Sequence, residues 1–202
     1  MSATQSSLHP TLLEALWPRT SLNERVVRNV VLALFGTLLL TISAKIQIPF
    51  WPVPLTMQTF VVLVLGVAYG WKLGTATMVL YMVEGAIGLP VFAGTPEKGI
   101  GLAYMMGPTG GYLLGFVAGA ALCGWLAERG WDRSWALTTV AMTLGHVLIL
   151  ACGWAWLATI MNSPEKAYIA GVVPFYAATV LKTALAVVIM PAAWKLVGGR
   201  KR

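Results

Sequence analysis

Long apolar runs broken by proline-rich segments constrain this chain more than any other feature. Pro49, Pro52 and Pro54 fall within six residues, in IPFWPVPLT at 48–56, between two long apolar stretches. Proline has no backbone donor, so no helix continues through this segment. Irregular backbone exposed to lipid is too costly at bilayer depth. Such a segment sits at the interface, packs against protein or lines a cavity. Two more follow, GLPVFAG at 88–94 and GPTGGYLLGF at 107–116. Three Gly/Pro-rich segments, each with an aromatic residue, predict a pocket rather than a simple anchor.

The apolar runs themselves predict the fold class. Of 202 residues, 58% are hydrophobic and 10% charged, against about 25% charged in a soluble domain. A helical span takes ~20 apolar residues, leaving room for about six. The expectation is an all-α, polytopic membrane bundle of six transmembrane helices, at about 26–44, 56–70, 73–87, 109–127, 134–160 and 168–194. Residues 1–25 read as a cytoplasmic N-terminal segment with an interfacial helix around Leu12 to Trp17. Glu14, Glu24 and the late start of the apolar run argue against a secretory signal. Residues 26–197 form the six-helix substrate-binding bundle, and 198–202 a basic cytoplasmic tail. There are no internal repeats.

Lys and Arg counts orient the bundle. With the N-terminus in the cytoplasm, that side carries Arg19, Arg25, Arg28, Lys72, Arg129, Arg133, Lys195, Arg200, Lys201 and Arg202, ten in all; the outer side carries Lys45, Lys98 and Lys166, three in all. Both termini are therefore expected in the cytoplasm and the three irregular segments outside. This role for the net charge of +7 leaves little case for nucleic acid, since no basic stripe with interleaved aromatics lies outside the spans.

Several chemistries lack their parts. No lysine follows a glycine, so there is no phosphate loop; HExxH and GxSxG are missing too. Cys123 and Cys152 lie in apolar runs without metal or redox spacing and read as small buried residues. No catalytic group and no metal site is expected. Movement of a solute against its gradient would need another subunit or an ion gradient.

Lys182 is the most unusual residue. It lies eight positions past Pro174 in the sixth span, roughly 12 Å deep. A cation there is costly unless paired or hydrated. Snorkelling, or pairing with Glu84 or a backbone carbonyl, is one reading. A counter-charge for an anionic ligand such as a carboxylate is the other, favoured because spans four to six hold no acid. Glu84 itself reads as an interface carboxylate, a partner for a lysine or a cap on the irregular segment. His146 suits either an interhelical hydrogen bond or a ligand contact. Trp51, Phe92 and Tyr112 sit one in each irregular segment, as belt residues or as pocket walls. Thr56 and Gln58 open span two, placed to bond a polar ligand or cap the helix. Ala33, Thr37 and Thr41, four apart on span one, make a ridge that suits either another span or a partner membrane protein.

These segments resemble the BioY family, the biotin-binding S component of energy-coupling factor (ECF) transporters. The resemblance rests on SAKIQIPFWPVPLTMQT at 43–59, GAIGLPVFAG at 85–94 and GPTGGYLLGF at 107–116. Weaker echoes are Gly145, Gly153 and Trp156 in span five, and Pro174, Phe175 and Lys182 around span six. It implies a six-helix bundle in the cytoplasmic membrane that binds biotin near its outer face. It also implies partners, a transmembrane T component and two ABC-type ATPases, and no cofactor, biotin being the transported ligand. Lys182 would meet the valerate carboxylate, the aromatics would cover the rings and Gln58 would read the ureido group. The Ala33–Thr37–Thr41 ridge would dock the T component. Two positions depart from the family pattern: Thr179 stands where many members have Asp, and His146 where many have Asn. The competing readings are an S-type subunit for another small carboxylated vitamin, a membrane enzyme acting on lipid and a structural scaffold.

Overall fold

The structure is a computed structural model describing residues 9–18 and 21–199. Arg19 and the basic residues 200–202, counted above for orientation and tail, lie outside the described residues. Among the described residues, the regular structure is helical apart from one small hairpin. A short helix α1 (Leu12–Leu16) is closed by a capping box in which Thr11 and Glu14 satisfy each other's backbone amides. It matches the helix expected there. The Ser21 hydroxyl caps α2 (Leu22–Lys45), which starts four residues earlier than the apolar run implied.

The 46–57 segment is a hairpin of strands β1 (Gln47–Ile48) and β2 (Leu55–Thr56), paired antiparallel with Gln47 opposite Thr56. The next helix, α3 (Gln58–Ala86), is not straight. Gly70 has φ +79° and ψ 171°, and the chain folds back there. A Cβ on Gly74 would lie 3.0 Å from Gly66 Cα, and Gln58 Nε2 is 2.6 Å from Tyr81 OH. In a straight helix those last two residues would stand about 35 Å apart. Glycine accepts the positive φ that a side chain resists.

After the irregular 87–100 segment comes α4 (Gly101–Met105), which the sequence reading did not anticipate. Then follow α5 (Gly110–Ala127), a 3-10 turn (Trp131–Arg133), α6 (Trp135–Met161) and α7 (Pro164–Gly171). The final helix, α8 (Tyr176–Gly199), is preceded by a 3-10 turn at Val173–Phe175. The sixth span expected from 168 is thus broken at 172–175, where Pro174 cannot donate to a continuing helix.

Helix α5 is the centre of the bundle. Some 67% of its apolar window is buried, against 28–39% for the other four helices long and apolar enough to cross a membrane. Those outer helices expose large apolar residues such as Leu34, Leu38, Val147, Val180 and Leu181. A belt of this kind is stable in lipid, not in water. Cys123 is buried as expected, whereas Cys152 is only half-buried.

The two ends of the bundle differ. At one end lie the hairpin, the 87–100 segment and the start of α5. At the other, the chain before α2 is tied down: His9 N donates to Glu128 O at 2.7 Å, Arg133 Nη2 to Pro10 O at 3.2 Å and Arg28 Nη1 to Trp17 O at 2.6 Å. Trp194 Nε1 donates to the buried Asp132 carboxylate at the same end. Burial pushes this carboxyl above the usual carboxylate range, with the indole bond and the neighbouring Arg133 and His9 opposing.

Candidate ligand cavity beneath the irregular segments

A cavity of about 40 Å³ lies at the end where the irregular segments meet. A water needs about 10–15 Å³ of such space, so this is room for a few waters. Its walls come from the hairpin and α3 (Val53, Pro54, Thr56, Gln58, Thr59), the 87–100 segment and α4 (Phe92, Ala93, Tyr104), and the start of α5 with its lead-in (Thr109, Tyr112, Leu113, Phe116). Phe175 and Lys182 complete it.

Aromatic rings set its shape. Phe92 is buried, edge-on to Tyr81 (centroids 5.4 Å, 80°) and stacked on Tyr104 (5.0 Å, 19°). Gly85 makes room for it, because a Cβ there would run into the Phe92 ring. Tyr112 stacks on Phe175 at 5.9 Å and donates from its hydroxyl to Gly171 O at 2.6 Å. Gly153 leaves space for the Tyr112 ring in the same way.

Polar groups are few. Lys182 lies six residues into α8, about 9 Å along the axis, and is 6% exposed. Its ammonium donates to Thr56 O at 2.6 Å and Thr59 Oγ1 at 2.9 Å. An ammonium has three donors, so one remains uncommitted. Gln58 is buried; its Nε2 donates to Tyr81 OH, which donates to Val91 O at 2.8 Å. The Gln58 amide oxygen is left free to accept.

Thr56, Gln58, Phe92, Tyr112 and Lys182 line one cavity, and the structure places the remaining candidates elsewhere. Trp51 is 79% exposed and does not reach the cavity, because the hairpin turns it outward. His146 is buried behind the wall, on the side of α6 that faces α8. Its Nδ1 lies 3.0 Å from Met142 O and 3.2 Å from Thr183 Oγ1, and its Nε2 is buried without a partner. Thr37 is turned into its own chain, where its hydroxyl bonds Glu84 Oε1 at 3.0 Å. Ala33 and Thr41 on the same ridge are half-buried. Thr37 thus packs on this chain while Ala33 and Thr41 keep part of their surface open, and Glu84 bonds a threonine rather than a lysine. Thr59 and Tyr104 went unrecognised. Thr59 stands beside Gln58 and was legible, whereas Tyr104 belongs to a helix with no sequence signature.

A helical bundle with an apolar belt and, at one end, an aromatic cavity carrying a few polar groups defines a multi-pass membrane protein. The chain matches the BioY family over residues 13–199 and belongs to it. A probable biotin transporter BioY from Pyrococcus horikoshii is 38% identical over 80% of this chain and 93% of its own length. The biotin transporter BioY of Thermotoga maritima is 39% identical over 81% and 94%. Among solved structures, the S-component for biotin from an ECF-type ABC transporter superposes with a TM-score of 0.74 at 26% identity, covering 88% of this chain and 95% of that one.

Proposed function

We infer that this chain is the high-affinity biotin-binding membrane subunit of a biotin uptake system. The observation that carries the reading is one ammonium with an uncommitted hydrogen in the wall of a mainly aromatic, apolar cavity. Biotin combines a carboxylate on an apolar tail, a thioether-containing bicycle and a ureido group. Lys182 would take the carboxylate, the Phe92, Tyr104, Tyr112, Phe116 and Phe175 rings would cover the apolar part, and Gln58 Oε1 would accept from a ureido N–H. Thr56 and Thr59 would border the carboxylate. Biotin is cargo here rather than a cofactor. The cavity is smaller than such a ligand, so part of its wall would move outward on binding.

One feature supports six crossings: the reversal at Gly70 turns α3 into a pair of antiparallel arms, so that α2, the two arms, α5, α6 and α8 make six. The start of α2 and the end of α8 share one end of the bundle, and the excess of Lys and Arg at that end supports a cytoplasmic side. The membrane would be the cytoplasmic (inner) membrane. Energy would come from a transmembrane T component and two ABC-type ATPases. The missing phosphate loop agrees with that arrangement, as does the likeness to a subunit of an ECF-type ABC transporter.

The direct test is equilibrium binding of labelled biotin to the purified, detergent-solubilised chain. Saturable binding at one site per chain, without ATP, is expected. An absence of saturable binding, or competition by unrelated carboxylates as strong as by biotin, would refute the reading.

A further inference from the structure

The 91–95 backbone carries Phe92 and Ala93 into the cavity wall, yet it belongs to no helix or sheet. Its shape therefore depends on what satisfies its carbonyls. Side chains from three other elements do so. Tyr81 OH on α3 donates to Val91 O at 2.8 Å, and Tyr104 OH on α4 donates to Ala93 O at 2.8 Å. Lys45, the last residue of α2, makes three contacts: its ammonium donates to Phe92 O at 3.0 Å, Thr95 O at 2.8 Å and Thr95 Oγ1 at 3.0 Å. The Thr95 hydroxyl in turn donates to Phe92 O at 2.7 Å.

All three hydrogens of the Lys45 ammonium are thus spent on two loop residues. A lysine can meet three acceptors from one point, which a planar guanidinium cannot do in the same geometry. The cation also stands at the C-terminal end of α2, where the helix dipole favours it. Lys45 is exposed, does not line the cavity, and is not among the cations that stand over an aromatic ring. Tyr81 and Tyr104, by contrast, both hold carbonyls and pack on that ring, so their two roles cannot be separated by substitution.

We propose that Lys45 is a positioning residue for the ligand site: it clamps the 92–95 backbone so that Phe92 and Ala93 stand in the cavity wall before the ligand arrives. This rests on the biotin reading above. A wall shaped in advance saves the ordering cost on binding. Releasing the clamp changes no side chain of the cavity wall but lets the backbone that carries Phe92 and Ala93 move. The loss falls mainly on dissociation, as it does for most changes within one site.

The test uses the full solubilised chain as wild type, Lys45→Met, Lys45→Arg and Thr95→Val. Labelled-biotin affinity and dissociation rate are measured together with tryptic cleavage at the exposed Lys98–Gly99 bond, followed by mass spectrometry. Lys45→Met is expected to bind about tenfold more weakly, the scale of one lost charged hydrogen bond, through faster dissociation. Its Lys98–Gly99 bond is expected to be cut several-fold faster without biotin and at the wild-type rate with saturating biotin. Lys45→Arg restores part of the affinity, and Thr95→Val, which removes one acceptor, weakens binding by about threefold. A purely structural lysine would lower the unfolding temperature and leave affinity and cleavage unchanged; that result in Lys45→Met overturns the proposal. Should Lys45→Met not purify as a folded protein, Thr95→Val decides, and unchanged affinity and cleavage there overturn it. Failure of the wild type to bind biotin overturns the functional reading instead, and the cleavage comparison alone then decides the clamp.

Discussion

Replacing Lys182 with methionine keeps the length and apolar volume of the side chain and removes its charge. The structure allows the consequences to be worked out separately for the empty and the occupied protein. In the empty protein the ammonium loses its bonds to Thr56 O and Thr59 Oγ1. Two bonds from a charged donor contribute roughly 3–6 kcal/mol together. Removing the buried charge recovers a desolvation penalty of several kcal/mol. The two effects roughly cancel, so Lys182→Met should fold and unfold close to the wild-type temperature. In the proposed complex the third ammonium hydrogen would meet the ligand carboxylate, a contact worth about 1.5–3 kcal/mol. Its loss weakens biotin binding by about 10- to 150-fold. Biotin amide, whose carboxylate is neutralised, isolates the contact in equilibrium binding to the solubilised chain. The wild type should bind the amide much more weakly than biotin, and the methionine variant should hardly discriminate. Equal discrimination by both proteins would refute the assignment and leave Lys182 as a tie between α8 and the hairpin.

Phe92→Ala empties the space between Tyr81, Tyr104 and Gly85, and should cost about 3–5 kcal/mol of stability, read by thermal unfolding, as well as biotin affinity. Asp132 offers a pH test outside the spans. Its folded-state carboxyl titrates above the unfolded one, so its stabilising contribution is present at low pH and lost as pH rises through the folded-state value. Asp132→Asn removes that loss and leaves an acceptor for Trp194; its unfolding temperature relative to wild type should rise from acid to neutral pH, and a constant difference would contradict the argument. Single cysteines replacing Lys98 or Lys166 should label from outside the cell, whereas one replacing Arg133 should need permeabilisation. The opposite pattern would reverse the orientation.

What sequence alone determined follows from local chemistry. Apolar runs of span length dictate membrane helices because lipid leaves backbone groups no other partner. Prolines and glycines marked where those helices stop, and the irregular segments did meet at one cavity. Lys182 stood out because a cation in an apolar helix needs a partner, and the boundaries of α5 and α6 were read to within a residue. The tertiary structure decided the rest. The boundary read between spans two and three at 70–73 is the reversal at Gly70, and only the structure shows that the two arms join there with no loop between them. Tyr104 lies in a five-residue helix too short to leave a period. Whether a side chain faces the cavity, another helix or lipid could not be read, because all three surroundings accept apolar residues and the helices have no polar face to fix their rotation. That rotation comes from packing between helices. It carries Tyr112 and Lys182 to the cavity, seats His146 behind its wall and turns Thr37 onto Glu84.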